Sequence, residues 1–116
     1  MFIGDSGNQW EFPSVTIAAR GYLIVWADGT DNTNGGLHTN FGLGSGGDTV
    51  TLYNNDGTTV EDTVDVPAID TDNSYGRIPN GTGDFTELAN TTPLAANQEG
   101  PDLNPNAQFI KINVGL

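Results

Sequence analysis

Short runs of alternating hydrophobic and polar residues recur along the chain, and clusters of Gly, Asn and Asp separate them. Alternation over about four to eight residues predicts half-buried β-strands, and no helical stripe of useful length appears. Residues 21–27, "GYLIVWA", are apolar on both faces, which predicts a strand that is covered on both sides. The alternating runs predict further strands at residues 9–12, 15–17, 49–53, 58–66 and 85–88. The pattern is that of an all-β protein.

A glycine-rich stretch raises the question of a nucleotide site. Gly42, Gly44 and Gly47 satisfy G-x-G-x-x-G, but that motif requires a following helix whose N-terminus carries the pyrophosphate. Here "DTVTLY" follows with the period of a strand, so we expect a turn that leads into a hairpin. The dipeptide Asp56-Gly57, which is typical of hairpin turns, predicts the connection to the next strand.

The composition limits the classes of partner. The chain has 116 residues, which fits one small domain, and a formal net charge of -12. The chain has 15 acidic residues and only three cationic ones. Binding to nucleic acid through phosphates or to anionic membrane surfaces is therefore disfavoured. The absence of cysteine excludes disulfides and thiolate metal sites. No apolar run in the sequence is long enough to insert into a membrane as a helix.

Several stretches occur in the order and at the spacing of one known family. They are "GYLIVWADG", "GLHTNFGLGSGGDTVTLYNNDG", "VEDTV", "SYGRIPNGTGDF" and "TTPLAAN". Together they resemble the lamin-tail domain, an immunoglobulin-like β-sandwich, in its bacterial versions. The resemblance covers residues 1–97. It implies a non-catalytic module that binds a protein or a cell surface, within an extracellular or surface-attached bacterial protein of several domains.

The resemblance also implies that the sandwich is N-terminally truncated, because the first two strands of the family are missing. The absence of a signal peptide would then say nothing about localisation. Residues 98–108 are rich in proline and are expected to form a linker. Residues 109–116 contain a strand-like alternation that resembles the family's own opening strand. We expect this strand to complete the sheet, within the molecule or through residues 109–114 in a homodimer; the start of another domain is the alternative.

The sequence offers little support for catalysis. The single histidine, His38, lies in "LHTNF", where the resembled family has it as part of the sandwich. We therefore expect a structural hydrogen bond from His38 rather than a role as general base. No serine is arranged with an obvious base, so we expect no catalytic residues and no enzyme.

One carboxylate is expected to point inward. Asp62 shares its strand parity with Val60, Val64 and Val66, which predicts a position on the apolar face. A buried carboxylate needs a partner, and Arg77 in "SYGR" is the cation that we expect to supply it.

Two kinds of ligand stay open, and both suit an accessory module of an extracellular hydrolase. Asp28 and Asp31 offer hard oxygen ligands for calcium on the polar loop 28–36, although their spacing departs from a calcium-loop motif. The other ligand is carbohydrate, which stacks on aromatic rings. Tyr53 has outward parity and is expected to face such a ligand. Trp26 ends an apolar run and is expected to lie in the core.

Overall fold

The computed structural model describes residues 1–98, which contain two antiparallel β-sheets and no helix. This confirms the predicted all-β class. The predicted strand at residues 109–116, the homodimer contact through residues 109–114 and most of the predicted linker lie outside the described residues. In chain order the strands are β1 (Phe2–Gly4), β2 (Gln9–Glu11), β3 (Gly47–Tyr53), β4 (Val60–Pro67), β5 (Ser74–Ile78) and β6 (Asp84–Leu88).

The chain divides into two compact units, of which the first is Met1–Ile69 and the second begins at Asp70. The first unit contains a four-stranded sheet in the order β2-β1-β3-β4, and the second contains the hairpin β5-β6. All neighbouring strands run antiparallel. Sequence-adjacent strands joined by short turns therefore account for most of the pairing.

The core of the first unit lies against one face of its sheet. Ile3 in β1 is opposite Trp10 in β2 and Leu52 in β3, and residues directly opposite in antiparallel strands share a face. The buried side chain of Trp10 forms the core together with Leu37 and Phe41. Half-buried apolar side chains pack against this cluster, namely Ile3, Phe12, Val25 and Ala27.

The turn between β3 and β4 has the predicted hairpin geometry. The backbone N–H of Gly57 donates to the carbonyl of Asn54 at 3.0 Å, and Gly57 has a φ of 71°, which glycine adopts without a steric penalty. The Asp56 carboxylate accepts from the backbone N–H groups of Thr58 and Thr59, both at 2.8 Å. It also accepts from the Thr59 hydroxyl at 2.6 Å.

The prediction that Asp62 is buried is wrong. Leu52 is paired with Asp62, but the next residue of β3, Tyr53, is paired with Val60, so Glu61 is the extra residue of a β-bulge. The bulge puts Val60, which is 52% exposed, on the opposite face from Asp62. Asp62 is opposite Leu52 and so lies on the core face of the sheet, as its parity predicts, but its side chain is exposed there. The pairing of Asp62 with Arg77 stays a prediction.

The predicted strands at residues 15–17 and 21–27 do not form. Residues 15–25 contain no strand, and only isolated bridges occur at Trp26 and Asp28. A turn precedes the apolar run, where the backbone N–H of Gly21 donates to the carbonyl of Ala18 at 2.7 Å. Because no ladder of neighbouring strands covers the run, much of its apolar surface is exposed.

The second unit contains a hairpin whose turn includes Asn80 and Gly81. One side of this hairpin carries an aromatic stack of Tyr75 on Phe85, with 5.6 Å between ring centroids and 8° between planes. The Arg77 guanidinium lies 4.2 Å from the Phe85 ring centroid, and Arg77 is directly opposite Phe85 in the register. Cross-strand aromatic and cation–π contacts therefore stabilise the pairing of β5 with β6.

The hydrogen bonds at Asp56 lead to a pH-dependent prediction. The Thr59 hydroxyl, followed by two backbone N–H groups, holds the pKa of the Asp56 carboxyl below its ordinary value of 3.8. A carboxyl group with a lowered folded-state pKa stabilises the fold above the unfolded-state pKa, and this contribution is lost as the pH falls below that value. We expect Asp56→Asn to lose less stability than the wild type between about pH 5 and pH 2.

Urea unfolding followed at each pH would measure this difference. Glu61→Gln, which removes one charge from an exposed carboxylate of β4, is the matched control for the loss of a negative charge. Identical acid profiles for Asp56→Asn and Glu61→Gln would contradict the assignment.

Candidate functional site

Residues 37–41, "LHTNF", form an extended segment in the connection between β2 and β3. Leu37, Thr39 and Phe41 are buried, whereas His38 is half-buried and Asn40 is exposed. This alternation is that of an extended chain, in which successive side chains point to opposite sides. The segment therefore places three side chains toward the core and presents His38 on the opposite side.

Backbone hydrogen bonds hold this segment on both of its edges. On one edge the N–H of Trp26 donates to the carbonyl of Leu37 at 2.7 Å, and the N–H of Thr39 donates to the carbonyl of Trp26 at 2.9 Å. On the other edge Asn32 and His38 exchange two hydrogen bonds, at 3.0 and 2.9 Å. The three stretches thus form a small, continuous hydrogen-bonded surface.

Asp31 connects this surface to the core. Its Oδ1 accepts a hydrogen bond of 3.0 Å from the indole N–H of Trp10, whose side chain is buried. A buried indole N–H requires an acceptor, and Asp31 supplies it. Asp31 also has a φ of 51°, a left-handed conformation that Asp tolerates better than most residues.

Asp28 and His38 form a surface pair. The Nδ1 of His38 lies 2.6 Å from Oδ2 of Asp28, and both side chains are partly exposed. The Oδ1 of Asp28 accepts from the backbone N–H of Thr30 at 3.1 Å and from its hydroxyl at 2.9 Å. The hydrogen bond with His38, followed by that with the Thr30 N–H, lowers the pKa of the Asp28 carboxyl. The carboxylate is therefore the favoured form, and it fixes the orientation of the imidazole.

Trp26 stacks on His38 and faces solvent. The two ring centroids are 6.3 Å apart with 17° between the planes, and Trp26 is 54% exposed. The expectation that Trp26 lies in the core is therefore wrong. Trp26 bridges to His38 in parallel, so its side chain shares the side of His38 rather than that of Leu37 and Thr39. We call Trp26, His38 and Asp28 together the Trp26 platform.

Gly36 closes one side of the platform. A Cβ added to Gly36 would lie 3.0 Å from Nε2 of His38 and 3.9 Å from Cδ1 of Trp26. The backbone at Gly36 therefore packs against the imidazole, and the absence of a side chain there leaves room for the two rings.

The two predicted calcium ligands both have hydrogen-bond partners within the protein. Asp28 and Asp31 use carboxylate oxygens to bind His38 and Trp10 respectively. Within residues 1–98 no group of three or more His, Cys, Asp or Glu side chains is arranged to hold a metal ion. Calcium at Asp28 and Asp31 stays a prediction, and so does a ligand-facing role for Tyr53, which is half-buried at the end of β3.

Comparisons with protein-family models, with curated proteins and with solved structures found no match for this chain. The lamin-tail resemblance consequently rests on the quoted residues alone. In residues 1–98 the structure contains no helix that is long and apolar enough to cross a membrane.

Thr39 provides a test of how the site is held. Its fully buried hydroxyl donates to the carbonyl of Phe41 at 2.7 Å, and Thr39→Val replaces that hydroxyl with a methyl group. We expect the free energy of unfolding to fall by about 1 kcal/mol, since a buried hydrogen bond is lost. Urea unfolding monitored by tryptophan fluorescence would measure the change. Thr33→Val, at an exposed threonine of the same loop, is the control, and equal stability of the two variants would contradict the expectation.

Proposed function

We propose that this chain is a non-catalytic binding module that attaches a larger extracellular or surface-attached bacterial protein to a protein or a cell surface. We further propose that its fold is an immunoglobulin-like β-sandwich of the lamin-tail type. Two antiparallel sheets in the described residues and the sequence stretches that resemble the family support this assignment. In such a module the loops and strand faces bind the partner, and no reactive group is required.

The observation that carries the binding function is an exposed apolar loop. Of the nine large apolar side chains that are exposed in residues 1–98, four lie between residues 15 and 23. This segment, which we call the apolar loop, exposes Val15, Ile17, Tyr22 and Leu23. Surface loops are ordinarily polar, and apolar side chains concentrated in one of them are typical of an interaction surface.

The charge of the chain restricts the kind of partner. With 15 acidic residues and three cations, the chain repels polyanions such as nucleic acids. A partner surface that is neutral or basic and that has an apolar centre fits both the charge and the apolar loop.

A second candidate function is carbohydrate binding, as an accessory module of an extracellular hydrolase. The exposure of Trp26 favours it, since an indole on the surface offers a flat apolar face to a sugar ring.

Sedimentation with washed bacterial cell walls would test the binding function. We expect saturable binding by the wild-type chain and a loss of affinity of about tenfold or more in Val15→Ser/Ile17→Ser, because apolar anchors of the interface are removed. The control is Val60→Ser/Leu94→Ser; Ile17 and Val60 are both 52% exposed, but Val60 and Leu94 lie outside the apolar loop.

Three outcomes would contradict the proposal. The first is no saturable binding of the wild type at concentrations up to about 100 µM. The second is an equal loss of affinity in the loop variant and its control. The third is the release of soluble fragments from the walls by the purified chain, which would contradict a non-catalytic role.

A further inference from the structure

We propose that the Trp26 platform is a binding site for a neutral glycan, in which one pyranose ring stacks on the exposed indole of Trp26. This inference rests on the proposed binding function in its second form, carbohydrate binding, and deepens it, because it assigns a ligand class and a location.

Contacts within the protein hold the residues of the platform in place. The backbone of Trp26 is fixed by hydrogen bonds to Leu37 and Thr39, at 2.7 and 2.9 Å. Its ring lies within 17° of parallel to the imidazole of His38, and Asp28 binds the imidazole at 2.6 Å. A ligand that binds here immobilises few side chains, so little conformational entropy opposes binding.

The exposure of Trp26 has no role in folding that the structure shows. Burial of an indole stabilises a fold, yet this side chain is 54% exposed while Trp10 is buried in the core of the same unit. The imidazole of His38 lies nearly parallel to the indole at a centroid distance of 6.3 Å, and the exposed part of the indole offers a flat apolar surface to a ligand. The C–H face of a pyranose ring is such a surface.

The charge next to the ring selects among flat ligands. Asp28 lies beside the stacked rings on a chain of net charge -12, which disfavours phosphorylated, sulfated and uronic-acid ligands. A quaternary ammonium ligand is recognised best inside a cage of several aromatic rings, whereas the indole here is paired with an imidazole. A neutral sugar is not repelled by the negative charge and does not need an aromatic cage.

Asp28 also supplies a hydrogen-bond acceptor for the sugar hydroxyls. A carboxylate accepts roughly four hydrogen bonds, and Asp28 uses three of them for His38 and for the N–H and hydroxyl of Thr30. One acceptor position at the partly exposed carboxylate therefore remains for a ligand hydroxyl. Apolar stacking combined with a few placed polar groups is the usual composition of a small-ligand site.

Affinity electrophoresis of the full chain would test this site. The gels contain one of three neutral polysaccharides, namely hydroxyethyl cellulose, laminarin and glucomannan, with polygalacturonate as the anionic comparison. We expect at least one neutral polysaccharide to retard the wild type, and Trp26→Ala to lower that affinity about tenfold or more. Trp26→Phe should retain part of the affinity, and Val60→Ala, at a side chain of similar exposure, should leave it unchanged.

Asp28 is tested through a pair of variants. Asp28→Asn keeps an acceptor for the imidazole and should retain much of the affinity, whereas Asp28→Ala should lose most of it at an unchanged melting temperature. A purely structural role of Asp28 would instead lower the melting temperature together with the affinity.

Three results would overturn the site: no retardation of the wild type by any of the neutral polysaccharides, equal retardation of wild type and Trp26→Ala, or stronger retardation by polygalacturonate. If one of these occurs while the apolar-loop variant still loses cell-wall binding, the glycan site fails and the binding module stands. If the wild type binds neither cell walls nor polysaccharide, the proposed function fails as well.

Discussion

The burial of Thr39 is the constraint on which the geometry of the Trp26 platform depends. Its side chain is fully buried, so each of its polar groups needs a partner within the protein. The N–H donates to the carbonyl of Trp26, the carbonyl accepts from the N–H of Asp31, and the hydroxyl donates to the carbonyl of Phe41. The hydrogen bonds that satisfy the polar groups of Thr39 thus fix the positions of Trp26 and Asp31 beside it. The outward position of His38 and the exposed position of Trp26 follow from the same register.

The many acidic residues act largely as hydrogen-bond acceptors within loops. Asp48 accepts from the N–H groups of Ser6, Gly44 and Thr49, which joins the glycine-rich turn to the start of β3. Glu87 accepts from the N–H of Asp70 and the side chain of Asn73 in the second unit. These hydrogen bonds, first those from the backbone N–H groups of Gly44 and Asp70, lower the pKa of the Asp48 and Glu87 carboxyls. Asp48 and Glu87 therefore stabilise the connections between strands, and their charges need no ligand to account for them.

Sequence reasoning found the elements that are governed by local signals. Alternation and the Asp56-Gly57 dipeptide predicted the β3–β4 hairpin, because both signals lie within the hairpin itself. Sequence reasoning missed β1, which has only three residues, and β5, in which Gly76 interrupts the alternation of side chains. Glycine fits at this position because a Cβ there would lie only 2.6 Å from the side chain of Asn97. The parity of Asp62 gave the correct face of the sheet, but its exposure, like that of Trp26, depends on which segments cover it, so burial could not be read from parity. The alternation in "LHTNF" was a usable signal for an outward-facing His38.

The outer strand of the first sheet has a consequence for association between copies of the chain. Among residues 1–98, β4 pairs with β3 alone, and it carries Glu61, Asp62 and Asp65, all exposed. An uncovered strand edge is a template for the addition of further strands, and charges and bulges on such an edge oppose it. Two copies that approach through β4 would bring like charges together at the bulge. The acidity of this strand therefore opposes fibrous aggregation through its uncovered edge.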